Sequence, residues 1–171
     1  IEDFYNSLLM QAIVAPFDEF HLPRIAQLIG KTNQFNLTTR RHGMSQLEAF
    51  VKDPIYVHLS LRLRDRFADH GLVGLIIARH QGDMLDIDTW LMSCRLIGRT
   101  VEMTMLEHLC RRAEQLGCTS LRGTYIATEK NGMAADAYAK CGFDQVSQNE
   151  GQTVWKYDLC AKGMIKNAFI R

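Results

Sequence analysis

Two short stretches carry residue types at spacings that chemistry can use. The first is Arg95-Leu96-Ile97-Gly98-Arg99-Thr100-Val101, between an apolar run ending at Met92 and a helical pattern opening near Thr100. A helix start leaves its first backbone N–H groups without intrahelical partners and carries about half a positive charge. Gly98 permits close backbone approach, and Arg95 and Arg99 add charge, so the joint suits a diphosphate. By itself the pattern is also that of an ordinary strand–glycine–helix connection. The second stretch is Asn131 through Phe143, NGMAADAYAKCGF, which puts Ala134 and Tyr138 on one helical face at i and i+4. The small Ala134 leaves room for a ligand to which Tyr138 offers a phenol, although a tyrosine at such spacing is more often core.

Other candidates are weaker. Asp86 and Asp88 alternate with Trp90 along one predicted strand face and could supply a general base, as could Glu129 nearby. The stretch Asp86-Ile87-Asp88-Thr89 is similar to the D-x-D-x-T nucleophile loop of haloacid-dehalogenase phosphatases. Here the threonine is adjacent and the segment lies mid-chain in a hairpin, so it is not read as a phosphatase site. The six histidines are scattered, and His58 and His108 sit in periodic elements where packing or surface roles suffice. Cys94, Cys110, Cys118, Cys141 and Cys160 form no C-x-x-C pair. They read as reduced thiols of a cytoplasmic protein, with neither a metal site nor a disulfide framework.

Positioning these residues requires one domain. The chain has 171 residues, 47% hydrophobic and 23% charged, with a formal net charge of +1. That balance argues against a nucleic-acid-binding surface. No apolar run reaches the roughly 18 residues of a membrane span, and no signal-peptide pattern is present. Phe4, Leu8 and Leu9 suggest a linker or lead-in helix over residues 1–12, and Ile13–Phe17 suits a first strand. Leu22, Ile25, Leu28 and Ile29 mark a helix ending near Gly30, and Ser45 with Glu48 forms a capping box for a second. Between them runs a polar loop, TNQFNLTTRR. Val57, Leu59, Leu61 and Leu63 alternate with polar residues, opening a meander through Leu72–Ala78 and Leu85–Met92. A long helix over Thr100–Leu116 follows, then a strand Ser120–Ala127, an alanine-rich helix Gly132–Cys141, and strands near Phe143–Ser147 and Val154–Leu159. The crossover helix makes Leu85–Met92 and Ser120–Ala127 parallel neighbours. The expected fold class is mixed α/β, mostly antiparallel, with helices on both faces.

The pair of motifs, R-x-x-G and then N-x-x-A-x-x-x-Y-x-x-x-G-F, resembles the GNAT acyltransferase superfamily over residues 13–160. The resemblance implies two central parallel strands that splay, with acyl-CoA or an acyl-phosphopantetheine thioester in the gap and no metal. It implies that Asp88, Thr89 and Trp90 offer backbone to the pantetheine arm. Arg95, Leu96, Ile97, Gly98, Arg99, Thr100 and Val101 would cradle the pyrophosphate, and Asn131 and Ala134 would border the arm. Tyr138 would protonate the departing thiolate, and Asp88 is a candidate base. Thr100 stands where the family usually has Gly or Ala, and Ile126 where many members carry a catalytic Glu.

TNQFNLTTRR and IDTWLMSCRLIGR are similar to the C-terminal, GNAT-like half of FkbH-like proteins. That resemblance implies a preceding phosphatase-like domain, an acyl carrier protein as partner, and loading of a glyceryl unit for polyketide biosynthesis. Arg40 and Arg41 would then meet an acidic carrier or a phosphate, and residues 161–171 form a C-terminal tail. The alternative reading is a non-catalytic module that docks carrier protein or CoA.

Overall fold

A computed structural model describes residues 1–171. The elements in chain order are α1 (Glu2–Leu8), β1 (Gln11–Ala15), α2 (Leu22–Lys31), α3 (Met44–Lys52), β2 (Tyr56–Arg64), β3 (Asp69–Gln81) and β4 (Met84–Met92). They continue with α4 (Val101–Gln115), β5 (Ser120–Ile126), α5 (Ala137–Lys140), β6 (Asp144–Asn149), β7 (Gln152–Asp158) and α6 (Leu159–Lys162). All seven strands form one sheet in the order β1-β2-β3-β4-β5-β7-β6. Only β4 and β5 are parallel.

Period-two patterning sorts the side chains into two cores. Val57, Leu59, Leu61 and Leu63 of β2 face the larger core, where Val101, Met105, Leu109 and Ala113 of α4 and Ala137 and Tyr138 of α5 pack. On the other face α2 and α3 bury Leu22, Ile25, Ile29, Leu47 and Phe50 against Leu72, Leu75 and Ile77 of β3. The mixed α/β class, the parallel central pair and helices on both faces all match the sequence expectation.

Several local expectations are corrected. The first strand runs over Gln11–Ala15, because Phe17 turns away to pack beneath α2. Helix α3 starts at Met44 behind Gly43, and no side chain caps it; the Ser45–Glu48 box does not form. Asp69-His70-Gly71, expected to turn the chain into Leu72, already belongs to β3; the turn lies at residues 65–68, where the Asp65 carboxylate accepts the N–H groups of Phe67 and Ala68 at 2.8 and 2.9 Å. The alanine-rich stretch splits into a 3-10 turn, Gly132–Ala134, and the short α5.

A bulge in β4 changes what its residues face. Ile77 of β3 pairs with Thr89 while Ala78 pairs with Ile87, which leaves Asp88 as the extra residue. An extra residue reverses the in/out alternation beyond it. Ile87 and Trp90 therefore share the larger core, and Trp90 does not share a face with Asp86. Both chain ends join the same core: Met10 bridges Ile170 in parallel, and Ile165 and Ile170 are buried.

Candidate functional site

β4 and β5 are hydrogen-bonded neighbours only from Met84 with Ser120 to Ile87 with Gly123. Beyond that they diverge while β4 continues to Met92 and β5 to Ile126. This fork is where the resemblance puts a thioester arm, and its edges should present free backbone groups. They are already taken. The Phe35 carbonyl accepts the Met92 N–H at 3.1 Å, and the Leu37 N–H donates to Trp90 O at 3.1 Å. On the opposite edge Ile126 N–H donates to Leu37 O at 2.8 Å. Residues 35–37 thus act as a short inserted strand, with Asn36 bridging Leu91 antiparallel.

The insertion is deep. Asn36 and Leu37 are 0% exposed and Phe35 is 3% exposed. Phe35 meets Trp90 edge-on, with ring centroids 5.4 Å apart. Thr38 Oγ1 donates to Asp88 O at 3.0 Å, closing the next group along β4. Asn131 locks the arrangement from the other strand. Its Nδ2 donates to Asn36 O at 3.0 Å and to Ile126 O at 2.8 Å, and its Oδ1 accepts Thr128 N–H at 2.8 Å. A fully buried amide with these bonds is a structural staple. In this conformation the fork does not fit a pantetheine arm, because the carbonyls of Asp88 and Trp90 and the Met92 N–H on that edge of β4 are satisfied internally.

Tyr138 lies at the base of the fork, 1% exposed, with its ring 5.2 Å from Trp90. It occupies the space a side chain on Gly123 would need, so the glycine in β5 makes room for the phenol. No group hydrogen-bonds its hydroxyl. Burial pushes its pKa far above 10, and the neighbouring Asp86 adds to this. Protonating a thiolate from such a phenol is more strongly uphill than from an ordinary tyrosine, at about 1.4 kcal/mol per pKa unit. Ala134 is fully buried beside it in the same core.

Asp88 anchors a polar cluster on the bulge. Arg40 Nη1 donates to its Oδ1 at 2.6 Å, Thr89 Oγ1 donates to Oδ2 at 2.7 Å, and His42 Nε2 stands 3.1 Å from Oδ2. Burial raises the Asp88 carboxyl, but His42, Thr89 and Arg40 outweigh it and bring the pKa to about 2. The carboxylate in turn raises the pKa of His42. A carboxylate tied to a guanidinium, an imidazole and a hydroxyl is a weak base.

The joint before α4 is bordered by the chain's two ends. Gly98 takes φ +82° and Thr100 the left-handed φ +65°, a conformation that explains a preference for glycine there. Tyr5 of α1 donates its hydroxyl to Gly98 O at 2.6 Å, and Asn167 donates Nδ2 to Thr100 O at 2.7 Å. Arg99 is paired with the buried Asp65 at 3.0 Å. Leu96 and Val101 point into the core and Ile97 packs against it, leaving Arg95 as the unpaired cation of the loop.

Arg40 and Arg41 are also spent inside the molecule. Arg41 bonds Ile29 O, Asn33 Oδ1 and Thr32 O. Periodicity could not reveal the His42–Asp88 pair or the inserted strand, because TNQFNLTTRR has the composition of a loop. No group of three or more His, Cys, Asp or Glu is placed to hold a metal ion, and no helix is long and apolar enough to cross a membrane.

No protein-family model and no curated protein sequence matches the chain. Solved structures do. The GNAT domain of S. lividans PAT superposes with a TM-score of 0.68 at 14% identity, covering 89% of this chain and 95% of that one. The ribosomal-protein-S18-alanine N-acetyltransferase from Escherichia coli gives 0.64 at 13%, over 86% and 94%. The PaiA N-acetyltransferase from Thermoplasma acidophilum, solved in complex with coenzyme A, gives 0.59 at 11%, over 86% and 99%. The topology, the forked parallel pair and these superpositions agree: the chain has the GNAT acetyltransferase fold.

Proposed function

We propose that this chain is a GNAT-fold docking module for phosphopantetheine-borne thioester chemistry, in a role like that of the C-terminal half of FkbH-like proteins. In this reading it binds an acyl carrier protein or CoA while a phosphatase-like domain handles the glyceryl unit. The observation that carries it is the inserted strand at residues 35–37: it takes up the fork's backbone groups from both sides, so no thioester is held there for reaction and the carrier or CoA would be bound outside the fork. The sealed Tyr138 and the Ile126 position without a carboxylate point the same way.

A second reading, acyl transfer by the domain itself, is favoured by one observation: the Tyr138 hydroxyl is buried at the fork with no partner. Calorimetry with acetyl-CoA, CoA and a phosphopantetheinylated carrier, followed by single-turnover transfer, separates the two. The docking reading expects carrier or CoA binding without turnover. Acyl transfer that Tyr138→Phe slows by about a hundredfold or more would establish the second reading and overturn the first.

A further inference from the structure

A cleft of about 390 Å³ lies between α2, the start of β3 and the turn after β4. Three cations line it, Arg24 and Lys31 from α2 and Arg95 from the turn, and no carboxylate does. All three side chains are exposed, and none of them has an ion-pair partner anywhere in the chain. Arg24 donates Nη1 to Gln27 Oε1 at 2.7 Å, a neutral partner that leaves its charge uncompensated. Like charges gathered on one cavity repel, and the repulsion is relieved by an anion between them. Leu28, Leu72 and Val73 supply apolar lining between and beside them. The volume is that of a small-molecule site.

We propose that this cleft binds a small phosphate monoester, its phosphate held by Arg24, Lys31 and Arg95 and its organic part against Leu28, Leu72 and Val73. Ser93 and Gln34 at the rim add hydrogen-bonding groups. The cleft shares only Arg95 with the joint before α4, since no residue from Leu96 to Val101 lines it. It rests on its own charge and shape and goes beyond the docking reading. The ester could be free 4′-phosphopantetheine, whose phosphate is a monoester until it is joined to a carrier serine, or another free phosphorylated metabolite, and the chemistry recognised is the same.

The test is a titration of the intact chain at low ionic strength with inorganic phosphate, 4′-phosphopantetheine and CoA, followed by calorimetry and amide chemical shifts. Saturable binding is expected, with shifts at Arg24, Lys31, Ser93 and Arg95. Lys31→Gln and Arg95→Gln should each weaken it by about fivefold or more, and Lys31→Arg should retain it. Arg112→Gln, on the exposed face of α4, is the control and should leave binding unchanged. Tighter binding of phosphopantetheine than of phosphate supports the proposal with free 4′-phosphopantetheine as source; equal binding supports it with another phosphorylated metabolite as source. No saturable binding, unchanged affinity in both glutamine variants, or an equal loss in Arg112→Gln overturns it.

Discussion

At the scale of residues, two side chains expected to touch a ligand are committed to the interior. Asn131 holds carbonyls of Asn36 and Ile126 together, so Asn131→Ala leaves two acceptors and the Thr128 N–H without partners. Each buried group left unmade costs about 1–3 kcal/mol, and a total loss of about 3 kcal/mol in urea denaturation is expected. A loss below about 0.5 kcal/mol would show that the staple is not used. Tyr138→Phe should behave oppositely. It removes a buried hydroxyl that has no partner while keeping the ring against Trp90 and Gly123. Stability should hold or rise by about 1 kcal/mol. A marked fall would mean that the hydroxyl has a partner in solution.

Among the elements, the inserted strand decides how the fork behaves. Its bonds to Trp90, Met92 and Ile126 make it part of the sheet, not a lid lying over it. Hydrogen exchange reads this directly: the amides of Leu37, Met92 and Ile126 should exchange only on global unfolding. Fast exchange at all three, with β2 and β3 protected, would identify a segment that opens locally. Leu37→Ala tests the same element by packing. Leu37 is fully buried, and truncation to alanine should cost about 2–5 kcal/mol. The β4 bulge matters as much, because it lifts Asp88 out of the alternation and turns it to Arg40 and His42.

For the whole molecule, acid stability follows from two carboxylates. Burial pushes the Asp65 carboxyl up, but His70 and the N–H groups of Phe67 and Ala68 outweigh it and bring the pKa to about 2. Asp88 is likewise brought to about 2. Between the unfolded value of 3.8 and about 2 the unfolded chain binds protons that the folded protein does not. Their stabilisation is therefore full above pH about 4 and is lost as pH falls toward 2. His42 has the opposite sign: its raised pKa contributes below about 6.5 and is lost as pH rises through the folded value. As pH falls from 5 to 2, urea midpoints should drop steeply for the wild type and less steeply for Asp65→Asn. Equal slopes in the two proteins would show that Asp65 is not the titrating group. The same Asp65 pins Arg99 and the turn into β3, so Asp65→Asn also lowers stability at pH 7.

The order of strands and helices was legible in the sequence because it rests on local periodicity: two-residue alternation in β2, the 3.6-residue stripe of α4, and glycines at the turns. The parallel pairing of β4 and β5 was legible too, since a helix of α4's length returns the chain to the same sheet direction. What fills the fork was not. TNQFNLTTRR carries no alternation over a strand's length, and it becomes a strand only because two diverging edges offer it unpaired backbone groups. The bulge at Asp88 is equally silent in composition, and it alone separates Trp90 from the carboxylates. Tertiary structure likewise drew Arg24, Lys31 and Arg95 onto one cleft, because charges from distant stretches meet only after α2 has packed across β3. Local pattern determined which elements form; backbone groups and charges brought together by long-range packing decided which surfaces remain free to bind.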